Sequence, residues 1–274
     1  MKTVENLPVN FHHAFKLPIW RVLTDDVEDL LVVELRDKKE RKTYFSVIDL
    51  LKHKLLWTDK SFDDPWWISM GAAHKGKIVF FYYEDEKQPT QRGFFVYDVF
   101  RQTKIWESHE YAYYTLLKEE DALVVFKRGE LLPKYSALDL HTGKPQSINN
   151  PKQGIRRLFE QMAVSPLQYN EHHPHFDTLT QFIQIFAKDK YPQRVIDYIE
   201  LDDWHILGYY LPNGNYFDYY LLVSDADGTP YLHFMLDHKL RNTYADLFFV
   251  LKNELIVIKN RTELISFQLE REEK

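Results

Sequence analysis

The sequence predicts an all-β fold assembled from four-stranded antiparallel units, and three observations carry that expectation. Tyr, Phe and Trp number 18, 19 and 6, and such residues suit pleated, half-buried surfaces. Apolar and polar residues alternate in short runs closed by turn residues, the pattern of half-buried strands. The same strand–turn–strand pattern returns roughly every 45 residues, the mark of a repeat architecture.

The repeat is plainest at YFSVIDLLKHKLLW (44–57), GFFVYDVFRQTKIW (93–106) and KYSALDLHTGKPQ (134–146). Each is a strand ending in Asp (Asp49, Asp98, Asp139), a polar turn and a second strand; Trp57 and Trp106 close the first two. Upstream of each, residues 20–35, 67–82 and 113–127 read as a further strand pair. Four-stranded units are therefore expected at 20–57, 66–106 and 113–147. A fourth spans 194–236, where Asn213-Gly214 and Asp227-Gly228 suit tight hairpins. A fifth, at 244–270, has three strands, and the segment 9–16 is expected to complete it, removing two open sheet edges. This layout predicts a β-propeller of five four-stranded blades, with six as the alternative count. The count depends on residues 147–193, read as a partly helical insertion or a degenerate blade. Within them Ile155, Leu158, Phe159 and Met162 would share one face of a helix over 154–163. Residues 178–186 read as a strand.

The segment ALDLHTGK (137–144) and the Asp-to-Trp pairs 49/57 and 98/106 resemble the quinoprotein-like β-propeller repeat. The resemblance covers about half of the chain and implies the propeller fold. The turn glycine of that repeat is present only at Gly143, and no residues match the quinone or calcium ligands of quinone-dependent dehydrogenases. The resemblance therefore supports the fold and gives no licence for a redox activity; many propellers are binding scaffolds.

Composition excludes several classes. Without cysteine there are no disulfides or thiolate metal sites. A net charge of −6 with both signs interspersed argues against a nucleic-acid partner, which needs a concentrated basic patch. The most basic run, RDKKERK (36–42), contains Asp37 and Glu40 and reads as a solvated hairpin tip. No stretch reaches the roughly 18 apolar residues of a membrane span. The N-terminal residues lack the apolar core of a secretory signal, so a cytoplasmic location is expected.

Candidate site residues fall in three places. His172, His173 and His175, beside Glu171 and Asp177, offer imidazoles and carboxylates suited to a transition metal. Their spacing matches no established motif, so a polar surface loop is the competing reading, and no other cofactor is expected. Asp63 and Asp64 beside Trp66 resemble a sugar subsite in residue type; the alternative is a turn capped by the acids. Arg156 and Arg157, on the predicted helix, join them as candidate partner-binding residues. His12 and His13 lie on a strand, so one ring should point inward and one outward. Asp225–Gly228 opens like a calcium loop but lacks the distal Glu, and reads as a hairpin turn. No nucleophile elbow, phosphate loop or zinc-helix motif occurs. The expected function is a non-catalytic scaffold that binds a protein or small ligand through the face bearing the 147–193 insertion. The alternatives are a metal-dependent hydrolase or lyase using the histidine cluster, and a carbohydrate-binding protein.

Overall fold

The computed structural model describes residues 3–84, 90–130, 132–147, 163–188, 190–201, 203–244 and 246–270. The helix expected at 154–163, with Arg156 and Arg157, lies outside them. Strands dominate the described residues, which divide between two compact units: 17–162, and 1–16 together with 163–274. The first two strands, β1 (Val4–Glu5) and β2 (Val9–Ala14), belong to the latter unit.

Unit 17–162 holds three four-stranded antiparallel meanders in chain order. The first is β3 (Ile19–Asp25), β4 (Leu30–Asp37), β5 (Lys42–Asp49) and β6 (Lys54–Lys60). The second is β7 (Ile68–His74), β8 (Lys77–Tyr83), β9 (Gln91–Asp98) and β10 (Thr103–Ser108). The third is β11 (Tyr111–Leu117), β12 (Ala122–Lys127), β13 (Tyr135–Asp139) and β14 (Pro145–Gln146). They stack face to face. Leu30, Val32, Phe45 and Val47 of the first pack on Ile68, Met70, Phe80 and Phe95 of the second. From the second sheet's other face, Val79, Phe81, Phe94 and Val96 pack on Tyr113, Leu123, Val125 and Leu138. A sheet covered on both faces favours nearly continuous apolar strands. That is why β4 and β8 carry the unbroken runs LLVV (30–33) and IVFF (78–81), where strict alternation was the expectation.

The repeated Asp and Trp form one device. Asp49, Asp98 and Asp139 each accept main-chain N–H bonds from the turn that follows, from Lys52, from Phe100 and Arg101, and from His141 and Thr142. The next residue then ties each turn to the other hairpin of its own sheet. Leu50, Val99 and Leu140 donate their N–H to the carbonyls of Asp29, Gly76 and Asp121. Trp indoles reach across sheets to the same places: Trp57 Nε1 donates to Val99 O at 3.0 Å, and Trp106 Nε1 to Leu140 O at 2.9 Å. Four residues after each Asp the backbone is left-handed, at His53 (φ 49°), Gln102 (φ 54°) and Gly143 (φ 69°). At Gly143 a Cβ would meet the Trp106 ring at 2.7 Å. Gly143→Ala is therefore expected to cost about 1–3 kcal/mol through backbone strain and overpacking. A chemical denaturation midpoint within error of the parent would show that the indole does not press on this turn.

The other unit holds two sheets among the described residues. One, in spatial order, is β1, β20 (Pro230–Leu240), β19 (Tyr216–Asp225), β18 (Trp204–Asn213), β17 (Gln193–Leu201) and β16 (Leu167–Asn170). The other is β15 (Ala163–Val164), β21 (Phe248–Leu251), β22 (Glu254–Lys259), β23 (Glu263–Gln268) and β2. Here the uniform four-strand expectation gives way to six and five strands. The additions β1, β15 and β16 are two to four residues long. Strands that short have no readable period, yet they pair the exposed edges of longer neighbours. Strand β2 pairs with β23; it turns His12 out to Glu263 (3.0 Å) and lays His13 against Phe15, ring centroids 4.6 Å apart.

The strand expected at 178–186 is instead part of α1 (Phe176–Ala187). Phe176, Leu179, Ile183 and Phe186 recur at helical spacing and pack on Ile196, Leu207, Tyr209 and Leu222. Aromatic and β-branched residues favour strands locally, but the covered sheet face rewards the 3.6-residue stripe. Beneath this layer Tyr209 Oη lies 2.6 Å from His233 Nε2, both buried. Burial holds the His233 imidazole below its ordinary 6.5. The native state thus refuses a proton that the unfolded chain takes, and the stability present above that value falls as pH drops toward the native pKa. Between about pH 7.5 and about pH 5.5 the parent's melting point should fall further than that of His233→Gln. Parallel curves would refute this.

Candidate functional site

The residues with the most site-like surroundings sit at one end of the first two sheets of unit 17–162. The β4–β5 hairpin is closed by Asp37, whose carboxylate accepts the N–H groups of Lys39 and Glu40. This makes 36–42 a built turn that holds Arg36, Lys38 and Arg41 in place. The segment between β6 and β7 is set by Asp64, whose Oδ1 accepts the N–H groups of Trp66 (3.1 Å) and Trp67 (2.8 Å). Its other oxygen pairs with Arg92.

These two loops and the start of β3 form an indole–guanidinium cluster. The Arg36 guanidinium lies 5.2 Å from the Trp20 ring centroid and 5.1 Å from that of Trp66. Lys38 Nζ is 5.7 Å from Trp20, and Arg41 lies 6.0 Å from Trp66 and 5.6 Å from Trp67. Each separation is within the range where a ring quadrupole attracts a cation. Arg36 is held in place by Glu34, which is fully buried in β4. Its Oε1 accepts from Arg36 Nε at 2.7 Å, and its Oε2 accepts from Ser69 Oγ at 2.8 Å and from Met70 N at 3.3 Å. Arg36 also donates to Ile68 O at 3.0 Å. Lys38 and Arg41 have no carboxylate partner among the described residues. Trp20 is 57% exposed.

Asp63 is exposed, and its charge adds to burial in pushing the Tyr82 phenol up to about 12. Asp64 and Trp66 do come together, as a capping acid and the indole it positions. Trp66, the indole singled out in the sequence, is half-buried with guanidinium groups against it. Trp20, which the sequence reading passed over, is the open indole. Its one signal was a tryptophan at the start of a strand, where its partners could not be read.

His172, His173 and His175 lie in the other unit, on the turn between β16 and α1, and are exposed. Asn170 organises that turn, accepting the N–H of His172 on its side chain (3.0 Å) and of His173 on its carbonyl (2.9 Å). The His173 and His175 ring centroids are 5.3 Å apart, and Tyr169 stands edge-on to His173 at 4.6 Å. His173 Nδ1 accepts the His175 N–H at 3.3 Å. Among the described residues, the group of three metal-ligating side chains brought within 4.8 Å of one another is a different one: Asp25, Asp26 and His74. Asp225–Gly228 is a hairpin turn, with Asp225 Oδ1 accepting the Thr229 N–H at 2.8 Å.

Fold and site together define a class: a nearly all-β protein with several four-stranded antiparallel sheets and an aromatic and cationic cluster on their connecting loops. A family model described as "Domain of unknown function (DUF4905)" matches residues 24–106, which carry most of that cluster. No curated protein matches the chain. Among solved structures it is similar to BamB from Moraxella catarrhalis, at 12% identity and TM-score 0.34 over 95% of this chain and 85% of that one. It is also similar to the β-propeller domain of the Trilobed protease from Pyrococcus furiosus, at 11% identity and TM-score 0.33 over 93% and 68%. For Pyrococcus horikoshii acylaminoacyl peptidase the values are 12% and 0.34, over 93% of this chain and 38% of that one. No helix among the described residues is long and apolar enough to cross a membrane.

Proposed function

We propose that the chain is a non-catalytic β-propeller of the quinoprotein-like type, and that it binds an acidic peptide segment of a partner protein at the Trp20–Arg36–Arg41–Trp66 cluster. The face-to-face stacking of successive four-stranded sheets, clipped by Trp57 and Trp106, supports the propeller reading. One observation carries the binding reading: an exposed Trp20 ring beside Lys38 and Arg36, with Lys38 and Arg41 resting on indoles and lacking carboxylate partners among the described residues. Exposed aromatic and arginine side chains are the usual anchors of binding surfaces. Carboxylates of a ligand would pair with Lys38 and Arg41 while an apolar side chain covers Trp20.

The test is an array of peptides of graded charge, run beside a glycan array. Acidic peptides should bind, and Trp20→Ala or Arg41→Ser should weaken them at least about tenfold with the melting point unchanged. Equal binding by acidic and basic peptides, or hits on glycans alone, would overturn the reading; glycan hits would favour carbohydrate stacking on Trp20.

A further inference from the structure

At the other end of β3 from Trp20, three tight turns of unit 17–162 bring together a second set of polar side chains, independent of the proposed ligand surface. Asp25 ends β3, Asp26 follows it, and His74 ends β7. Lys118 and Asp121 come from the β11–β12 turn. Asp25 and His74 are 1% and 3% exposed. A carboxylate oxygen from each Asp and a ring nitrogen of His74 lie within 4.8 Å of one another.

The histidine's hydrogen bonds decide which nitrogen is available. Nε2 lies 3.2 Å from Lys118 O and 3.1 Å from Asp121 Oδ1. Both partners are acceptors, so Nε2 carries the hydrogen, and the neutral tautomer this fixes has its lone pair on Nδ1. Nδ1 is buried without a hydrogen-bond partner among the described residues. A buried, unpartnered lone pair on a ring grouped with two carboxylates is unfavourable unless something positive meets it. Direct hydrogen bonds do not fill that gap, because Nδ1 makes none. A bound cation would: it needs ligand atoms spread a few ångströms apart around it.

The remaining contacts suit the same role. Asp25 is pinned by the N–H groups of Val27 and Glu28 on Oδ1 and of Gly76 on Oδ2 (2.7 Å). Asp26 gives Oδ1 to Lys118 Nζ at 2.8 Å, with Oδ2 as its second donor atom. Asp121, also paired with Lys75 at 2.6 Å and with His141 at 3.7 Å, stands behind His74 as a carboxylate stands behind a metal-bound imidazole. Its Oδ1, 3.1 Å from His74 Nε2, accepts the ring N–H and fixes the tautomer. Against the three carboxylates stand two ammonium groups, Lys75 and Lys118, so the neutral-histidine cluster keeps one net negative charge.

We propose that Asp25, Asp26 and His74 Nδ1 bind one divalent transition-metal ion, with Asp121 orienting the imidazole from behind. An imidazole among the ligands favours zinc or cobalt over magnesium or calcium, which prefer all-oxygen shells.

The full-length chain, stripped with chelator, should be titrated with Zn²⁺ and with Co²⁺ by calorimetry, with the Co²⁺ absorption spectrum recorded. One ion per chain is expected, with a Co²⁺ spectrum of mixed nitrogen and oxygen ligation. Asp26→Asn, whose side chain is 10% exposed, and Asp121→Asn should each weaken affinity at least about tenfold. His74→Gln should abolish the spectrum. Because His74 is buried and its replacement can alter folding, circular dichroism and the two Asp variants keep the test decisive. Absence of binding by either metal overturns the proposal. So does binding that survives Asp26→Asn but vanishes when His172, His173 and His175 are all replaced by Ala, which would place the ion on the exposed histidine turn.

Discussion

Glu34→Ala is expected to lose about 3–5 kcal/mol of folding free energy, the usual effect of removing one partner of a buried ion pair. Glu34 is fully buried, and the Arg36 side chain is 13% exposed. Truncation would leave that guanidinium with one carbonyl acceptor and two indole faces, and would strip the Ser69 hydroxyl and the Met70 N–H of their acceptor. The double variant Glu34→Leu with Arg36→Met should recover much of the loss, because it removes both charges rather than orphaning one. Urea titration of the three proteins checks this. A Glu34→Ala loss under about 1 kcal/mol would mean the pair is solvated and not a structural link. The same substitution should also disorder the site, since Glu34 is what holds Arg36 between Trp20 and Trp66.

Gly208→Ala should be comparably damaging, at about 3–5 kcal/mol. Gly208 is buried in β18, and a Cβ there would fall 1.8 Å from Tyr219 Oη and 2.7 Å from the Phe248 ring. Neither ring has room to retreat: Tyr219 and Phe248 are 1% and 0% exposed. Tyr219 Oη also donates to Asp197 Oδ2 at 2.5 Å, while Gln168 Nε2 donates to Oδ1 at 2.7 Å. Displacing the phenol combines overpacking with a buried carboxylate that has lost a donor. Burial already pushes the Asp197 carboxyl up, so that donor matters to its ionised form. Tyr219→Phe removes the hydrogen bond without the collision and should cost only about 1–3 kcal/mol. If Gly208→Ala matched the parent in thermal and chemical melts, the close approach of Tyr219 would be disproved.

Much of the architecture was legible because its signals are local. The Asp turns at 49, 98 and 139 are closed within three residues, and each apolar run of a four-stranded meander pairs with its immediate neighbour. The helix at 176–187 was not, since its β-branched and aromatic residues favour a strand until a sheet face selects the helical stripe. Nor could the short strands β1, β15 and β16 be read, being too brief for a period.

The candidate sites divide in the same way. Asp64 and Trp66 were found because a capping acid and the amide it holds lie two positions apart in the chain. Glu34, by contrast, looks like a lone charge inside an apolar strand, and its partner Ser69 is 35 residues away. Asp25 and Gly76 are 51 residues apart, and His74 and Asp121 are 47. The sequence by itself determined the all-β class, the Asp-closed turns and the repeat. The tertiary structure alone decided that Trp20 rather than Trp66 is the open indole, that Arg36 lies between them, and that Asp25, Asp26 and His74 converge. The reason is range. Turn chemistry and periodicity act over a few residues, whereas the stacking of one sheet on the next sets which distant side chains meet.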